Sequence, residues 1–534
     1  MILLSKNDAF KWQENDGRYV KGYFYDGFTN NENFLEELSK INNLDDFVSF
    51  FKELNGEFAV SIETNDFILG ATDYTRSFPL FFCKKDRELV ISDTPESLLN
   101  IIKDPKVSEI AVRELRISGS TFGNRTLYED IETLGAGELI YFDKKNRSTS
   151  IIEYMDFDSA ERSNQSTESL FEEMTKTYRA AIKKTLDPYE GRQIVIPLGS
   201  GWWERVLVRN IYDLGYKNVL CYTYGKKDSI EIEKSREIAK HYGFSWHVTN
   251  YDPNTWYRWF TGPDYKKYKT YAAQFVTVPN IREYLAVKDL NEKGIISKDA
   301  IFINVCFTGV MRGDLLSKYF LDEDIPENNL KYEILREIGS NISWTAKDIQ
   351  LKDKYIDDIF QKVRKDNDYK DKTQLWKFKY AYWKERAAKH LSSSRRCYEI
   401  FGYMWRNIQN ERTILDFWSK VDPNIRYKHT LQNMYDEKYN KELLDKLNFK
   451  NTHPKDDSVI MQGIRRKFPS LYRKLDFNRR SRALKNKYDN DDLLWFNIIS
   501  RREFTRFRPN ISNIIAVESI KYLREFCKDT GHTL

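Results

Sequence analysis

A chain of 534 residues, 41% hydrophobic and 15% aromatic, is too long for one core and too apolar for a disordered segment, so two or three globular domains are expected. Its net charge of +6, from 86 basic against 80 acidic residues, is slight for the length, and no run of about 18 apolar residues marks a membrane span. Met1-Ile2-Leu3-Leu4 passes straight into Ser5-Lys6-Asn7-Asp8, unlike a signal peptide, and Cys83, Cys221, Cys306, Cys397 and Cys527 lack paired or metal-type spacing, so a cytoplasmic setting with no metal centre is expected.

Up to residue 157, short β-rich runs dominate at 19–25, 57–62, 67–71, 78–82 and 89–91, separated by acidic and glycine turns. This is the pattern of layered antiparallel sheets. The polar run at 158–168 lacks periodicity, which places a linker at 158–169. Beyond it helix and buried strand alternate: helix at 170–184, strand at 193–197, helix at 204–214, strand at 219–224, helix at 229–242. Such βαβα order predicts parallel strands with right-handed crossovers, and binding at their carboxyl ends. From Leu375 onward the chain reads mostly helical, with Trp376, Phe378, Tyr380 and Trp383 at helical spacing. The expected units are therefore 1–157, an α/β core at 170–374 and a helical part at 375–534.

The most informative stretch is Ile194-Val195-Ile196-Pro197-Leu198-Gly199-Ser200-Gly201-Trp202-Trp203-Glu204-Arg205. It reads as a buried strand, a turn of small residues and the first turn of a helix, the outline of a nucleotide phosphate loop. Small residues expose backbone N–H groups there, and the helix N-terminus adds about half a positive charge toward an anion. Tyr222, Tyr224 and Gly225 end the next strand, where such folds read adenine with backbone atoms.

With Cys221-Tyr222-Thr223-Tyr224-Gly225-Lys226-Lys227-Asp228-Ser229, the helix at 231–242, Gly243 and His247, this stretch resembles the synthetase domain of asparagine synthetases. The resemblance is to the shortened asparagine synthetase-like proteins associated with bacterial surface-polysaccharide genes. Leu54-Asn55-Gly56-Glu57-Phe58-Ala59-Val60, Asp73, Pro79-Leu80-Phe81-Phe82, Ser92-Asp93, Thr126-Leu127-Tyr128 and Leu134-Gly135-Ala136-Gly137-Glu138 resemble that family's glutamine amidotransferase domain. Trp383-Lys384-Glu385-Arg386, Arg396-Cys397-Tyr398-Glu399, Phe401-Gly402-Tyr403-Met404-Trp405-Arg406 and Asp416-Phe417-Trp418 resemble its helical region.

The resemblance implies an α+β amidotransferase-like domain of antiparallel layered sheets, then an ATP-pyrophosphatase-like α/β parallel-sheet domain with a helical C-terminal region. It implies ATP and Mg²⁺ as cofactors and the adenylation of a carboxylate, aspartate or a related substrate, with ammonia then displacing AMP. Cofactor contacts would fall on Leu198, Gly199, Ser200, Gly201, Trp203, Glu204, Tyr222, Tyr224, Gly225, Thr308 and Gly309. Glu204, Arg205, Arg312 and Asp314 are the catalytic candidates.

The family loop runs Ser-Gly-Gly-x-Asp-Ser, where this chain has Gly199, Ser200, Gly201, Trp202, Trp203 and Glu204. Trp203 cannot coordinate a metal, and Glu204, one step along the helix, is rotated by about 100°. Without a cation its carboxylate repels a triphosphate. Trp202 and Trp203 are expected to fill the pocket, since aromatic side chains bury large areas. The family's second loop, Gly-His-Ser-Gly-Asp, reads here Ile303-Asn304-Val305-Cys306-Phe307-Thr308-Gly309, with Arg312-Gly313-Asp314 after it.

Glutamine hydrolysis in the family uses an N-terminal cysteine; residue 2 is Ile2, and Lys21-Gly22-Tyr23-Phe24-Tyr25 stands in the glutamine-pocket stretch. Glutaminase activity is not expected, and Cys83 reads as a core thiol. His241 and His247 do not make a metal site.

Three readings stay open. One is an amide ligase using ATP and ammonia; the second is a catalytically inactive homologue acting as a nucleotide-binding or partner subunit. The third is an anionic-polymer binder using the basic region 465–487, with Arg465-Arg466-Lys467, Arg473-Lys474, Arg479-Arg480, Arg482, Lys485 and Lys487. The plain structural reading of that region is an amphipathic helix pair with a solvated charged face.

Overall fold

The computed structural model describes residues 1–28, 30–85, 87–155, 162–305, 309–321, 325–365, 372–449, 457–488, 500–509 and 515–531. The first part contains ten strands: β1 (Ile2–Leu3), β2 (Gln13–Asn15), β3 (Arg18–Phe24), β4 (Gly56–Glu63), β5 (Phe67–Thr72), β6 (Phe81–Lys85), β7 (Glu88–Ser92), β8 (Glu132–Thr133), β9 (Glu138–Asp143) and β10 (Ser148–Glu153). They form a six-stranded sheet, β10-β9-β5-β4-β3-β2, and a four-stranded sheet, β1-β7-β6-β8. Every pairing is antiparallel except β1 with β7.

Side chains alternate across a strand, and β4 shows what this does. Ala59 packs into the apolar cluster that also holds Leu80, Phe82 and Ile91 of the smaller sheet's side. Val60 and Ile62 turn the other way, into a cluster with Phe34, Leu38, Phe47 and Phe51. Those four belong to the helices Asn31–Ser39 and Leu44–Glu53, which start where the side chains of Asn30 and Asn43 accept N–H bonds from Asn33 and Asp46. The strand expected at 78–82 begins only at Phe81, because Pro79 has no N–H to offer a ladder.

Of the expected linker, residues 158–161 lie outside the described residues. Residues 162–166 have no regular structure, and the helix Thr167–Leu186 starts on the Ser166 cap, whose hydroxyl accepts from Ser169 N. Then come β11 (Ile194–Pro197), β12 (Val219–Gly225), β13 (Ser245–Asn250), β14 (Ile301–Ile303) and β15 (Met404–Arg406), a wholly parallel sheet in the order β13-β12-β11-β14-β15. The helices Trp202–Asp213 and Ile230–His241 link the first three of these strands. β15 arises in the part expected to be mostly helical: three residues, too short to show a period, close the sheet beside β14, with Trp405 fully buried.

The chain continues from Gln374–Tyr382 into a π-helical segment, Trp383–Leu391. Its wider turns carry three charged side chains onto residues 118–123: Arg386 donates to Ser118 O at 2.7 Å, Lys389 to Thr121 O at 2.6 Å, and Glu385 accepts from Gly123 N at 3.1 Å. Apolar contact crosses in the same way. Val195, Leu220 and Phe302 share a cluster with Ile140 and Phe142, and Tyr74 and Phe122 share another with Ile196 and Trp383. No helix among the described residues is long and apolar enough to cross a membrane.

Candidate functional site

β11 ends at Pro197, and Leu198 N donates to Tyr222 O at 2.8 Å, so the loop leaves the sheet at the carboxyl end of β12 as expected of a parallel sheet. Gly201 caps the helix Trp202–Asp213 with no side-chain bond. The space above that helix end is taken by the chain itself. Glu204 turns its carboxylate back so that a Cβ on Gly201 would collide with it, and a Cβ on Gly199 would stand 3.6 Å away. A side chain at 201 would have to displace the Glu204 carboxylate.

A second carboxylate closes the other side. Glu231, in the first turn of Ile230–His241, accepts from Ser200 Oγ at 2.6 Å and from Ser200 N at 3.2 Å. The Ser200 carbonyl accepts from Arg205 Nη1. The same Arg205 side chain forms a buried ion pair with Asp436 at 2.6 Å, the two side chains 3% and 5% exposed. Burial raises the Glu204 carboxyl above its ordinary range; its own backbone N–H, Arg312 and Arg205 oppose that rise, and Glu231 adds to it.

Trp203 is 2% exposed and packs on Tyr178 with ring centroids 5.2 Å apart. Trp202 is anchored by its indole N–H to Gln432 O at 3.1 Å. Arg312 lies 5.3 Å over the Trp202 ring and pairs with Asp314, Nε to Oδ1 at 3.1 Å. Gly309 stands beside the same Asp314, while Thr308 lies outside the described residues. The loop and the 309–314 turn therefore meet, bringing Ser200, Glu204, Glu231 and Arg312 together.

Other candidate residues sit elsewhere. The Tyr222 hydroxyl donates to Glu283 at 2.7 Å, which Tyr398 also reaches, so this ring belongs to the core below the loop. Tyr224 stacks on Tyr251 at 5.3 Å. Gly225 has φ +143°, a conformation suited to glycine, and its carbonyl accepts from Tyr251 N at 2.8 Å. His247 holds Asp289 at 2.8 Å. No group of three or more potential metal ligands is found among the described residues.

Both donors of Ser200 are used by Glu231, Glu204 turns back over the helix N-terminus, and the buried Trp203 indole offers no metal ligand. This arrangement does not fit a magnesium-bound triphosphate.

Motif residues of the first part also turn inward. Glu57, Asp73 and Arg395 are each fully buried. Glu57 accepts from Asn410 Nδ2 at 2.8 Å and Ser77 Oγ at 3.1 Å and pairs with Arg395 at 3.2 Å; Asp73 takes Thr75 N at 2.7 Å and Phe58 N at 3.1 Å. Burial pushes both carboxyls up. Sequence motifs marked these positions, but only the fold shows Arg395 and Asn410 arriving from the far half to meet them. In the 21–25 stretch Lys21 pairs with Asp93, which also accepts from the Trp12 indole at 2.8 Å, and Arg406 lies 3.8 Å over Tyr23. Cys83 is buried, its thiol pushed up to about 11 by burial.

The basic region corrects the picture of a wholly solvated charged face. Its helices Val459–Lys467 and Pro469–Lys487 dock on Glu327–Glu337 through ions. Arg465, 5% exposed, grips Glu333 with two bonds of 2.8 and 2.7 Å, and Asp476, fully buried, takes Arg479 and Arg480. What faces outward includes Ile460, Phe468, Leu471 and Leu475.

No family model and no curated protein matches this chain. Among solved structures it is similar to an allosteric regulatory enzyme of purine biosynthesis, with 10% identity over 44% of this chain and 61% of that one, at a TM-score of 0.19. It is also similar to the glutamine phosphoribosylpyrophosphate amidotransferase from B. subtilis complexed with ADP and GMP, with 10% identity over 57% of this chain and 59% of that one, at a TM-score of 0.18. The chain thus spans less than two thirds of either structure. At such TM-scores the likeness carries no argument about activity, and the architecture rests on this chain's own topology.

Proposed function

We propose that this protein is a non-catalytic relative of the asparagine synthetases that serves as a partner subunit. The observation that carries the reading is the loop after β11, where Glu204 and Glu231 hold the ground a phosphate would need. Two carboxylates at a helix N-terminus satisfy it as a bound anion does, and a triphosphate entering would have to displace both. The outward apolar residues Phe468, Leu471 and Leu475, spaced along one helix face, support a partner surface.

Calorimetry with ATP and Mg²⁺ tests the reading: no binding is expected for the native chain, and binding is expected once Trp203→Asp and Glu204→Ser are combined. Exchange of labelled pyrophosphate into ATP by the native chain, with aspartate and ammonia present, would instead establish an amide ligase.

A further inference from the structure

A pocket of about 580 Å³ opens where three distant segments meet, and no residue of the 199–204 loop lines it. The helix Glu109–Ser118 brings Arg113 and Arg116, three positions apart and therefore on one face. The helix Ala346–Gln350 brings Lys347, and the helix Arg501–Phe507 brings Arg506. Ser343 fastens these last two segments together, since its N–H and its hydroxyl both donate to Phe507 O at 3.0 Å.

Carboxylates are too few for these cations. Glu109 lines the pocket and pairs with Lys347 at 2.7 Å. Asp348, fully buried, accepts from Arg116 at 2.8 Å, from Thr345 N and Oγ1 at 2.7 Å each, and from the Tyr355 hydroxyl at 3.2 Å. Arg113 stands 3.8 Å from that carboxylate, beyond hydrogen-bond reach. Neither Arg113 nor Arg506 has a hydrogen-bond partner among the described residues, yet a ligand can reach both: the Arg113 side chain is 23% exposed, and Arg506 is exposed over the Phe507 ring. Burial draws the Arg116 guanidinium below its ordinary range; Asp348 opposes this, and Arg113 and Arg506 add to it as like charges. The cluster thus holds a positive excess that an anion would relieve.

We propose that this pocket binds an organic phosphate monoester, its phosphoryl group held among Arg113, Arg116 and Arg506. The planar guanidinium fork matches phosphate oxygens, and a phosphoryl group carries about −1.5 to −2 charge at pH 7, which suits the excess. Val107, Val112 and Phe507 also line the pocket and offer an apolar wall to the carbon skeleton of the ester. The occupant bridges segments that are far apart in the chain.

Titration calorimetry on the full chain with phenyl phosphate, inorganic phosphate and phenol tests the assignment. Phenyl phosphate is expected to bind, inorganic phosphate roughly 3- to 10-fold more weakly for want of the ring, and phenol not at all. Arg113→Gln and Arg506→Gln, which remove no hydrogen bond of the fold, are each expected to weaken phenyl phosphate roughly 10-fold. Lys11→Gln removes the same charge from an exposed position elsewhere and is expected to change nothing. No binding of phenyl phosphate, phenol bound as tightly, affinity that survives both arginine changes, or an equal loss with Lys11→Gln would overturn the proposal. The loop reading stays separable: ATP heat lost in Arg113→Gln supports this pocket, and ATP heat that survives there counts against the loop reading alone.

Discussion

The loop after β11 and a cavity lined in part by Tyr74 lie on opposite sides of one short turn: Arg312 faces the loop, and Met311 lines the cavity. Ser200 and Tyr74 each carry one hydroxyl, yet their situations are opposed. Ser200 has its N–H, hydroxyl and carbonyl all engaged by the chain, whereas the Tyr74 hydroxyl has no partner among the described residues. The difference teaches that whether a hydroxyl finds a partner is set by the groups that folding delivers to it. Residue type alone does not decide it.

The comparison breaks most severely if the loop's buried support is removed. Asp436→Ala leaves the buried Arg205 guanidinium without its carboxylate, and a loss of about 3–5 kcal/mol is expected in denaturant unfolding. Ser200→Ala is expected to cost about 0.5–1.5 kcal/mol by the same measurement, since it deletes a satisfied bond to a half-exposed carboxylate. Tyr74→Phe should move the other way, a gain of up to about 1 kcal/mol, because it deletes a donor without a protein partner. A loss there as large as that of Ser200→Ala would erase the contrast.

The smallest effect is one of pH. The folded state raises the Glu204 carboxyl and so binds its proton more tightly than the unfolded chain does. Its contribution is present at low pH and is lost as pH rises from the ordinary glutamate range through the raised value. Glu204→Gln, which cannot ionise, is expected to flatten this part of the fall in melting temperature as pH rises above the ordinary glutamate range. An unchanged slope would show that Glu204 shares the solvent's dielectric.

The alternation of strand and helix from 170 to 242 was legible because each element is long enough to show its period, and β11, β12 and their helices stand within a few residues of the expected bounds. β15 was not, since three residues cannot show a period and its pairing with β14 is decided by the sheet edge. The helix pair at 459–487 was legible as helices. Its ion pairs were not, because Glu333 and Glu337 lie in a distant segment.

The sequence by itself determined that a strand, a turn of small residues and a helix stand at 194–214, and that two tryptophans open that helix. Only the tertiary structure decided that Glu204 folds back over the helix end and that Glu231 arrives from the next helix to take Ser200. It also decided that Tyr74 is sealed at the junction of the halves without a protein partner for its hydroxyl among the described residues. Periodicity reports the face a residue turns to the core. Which charge meets which donor depends on segments far apart in the chain, and is settled only when their burial makes an unpaired group costly.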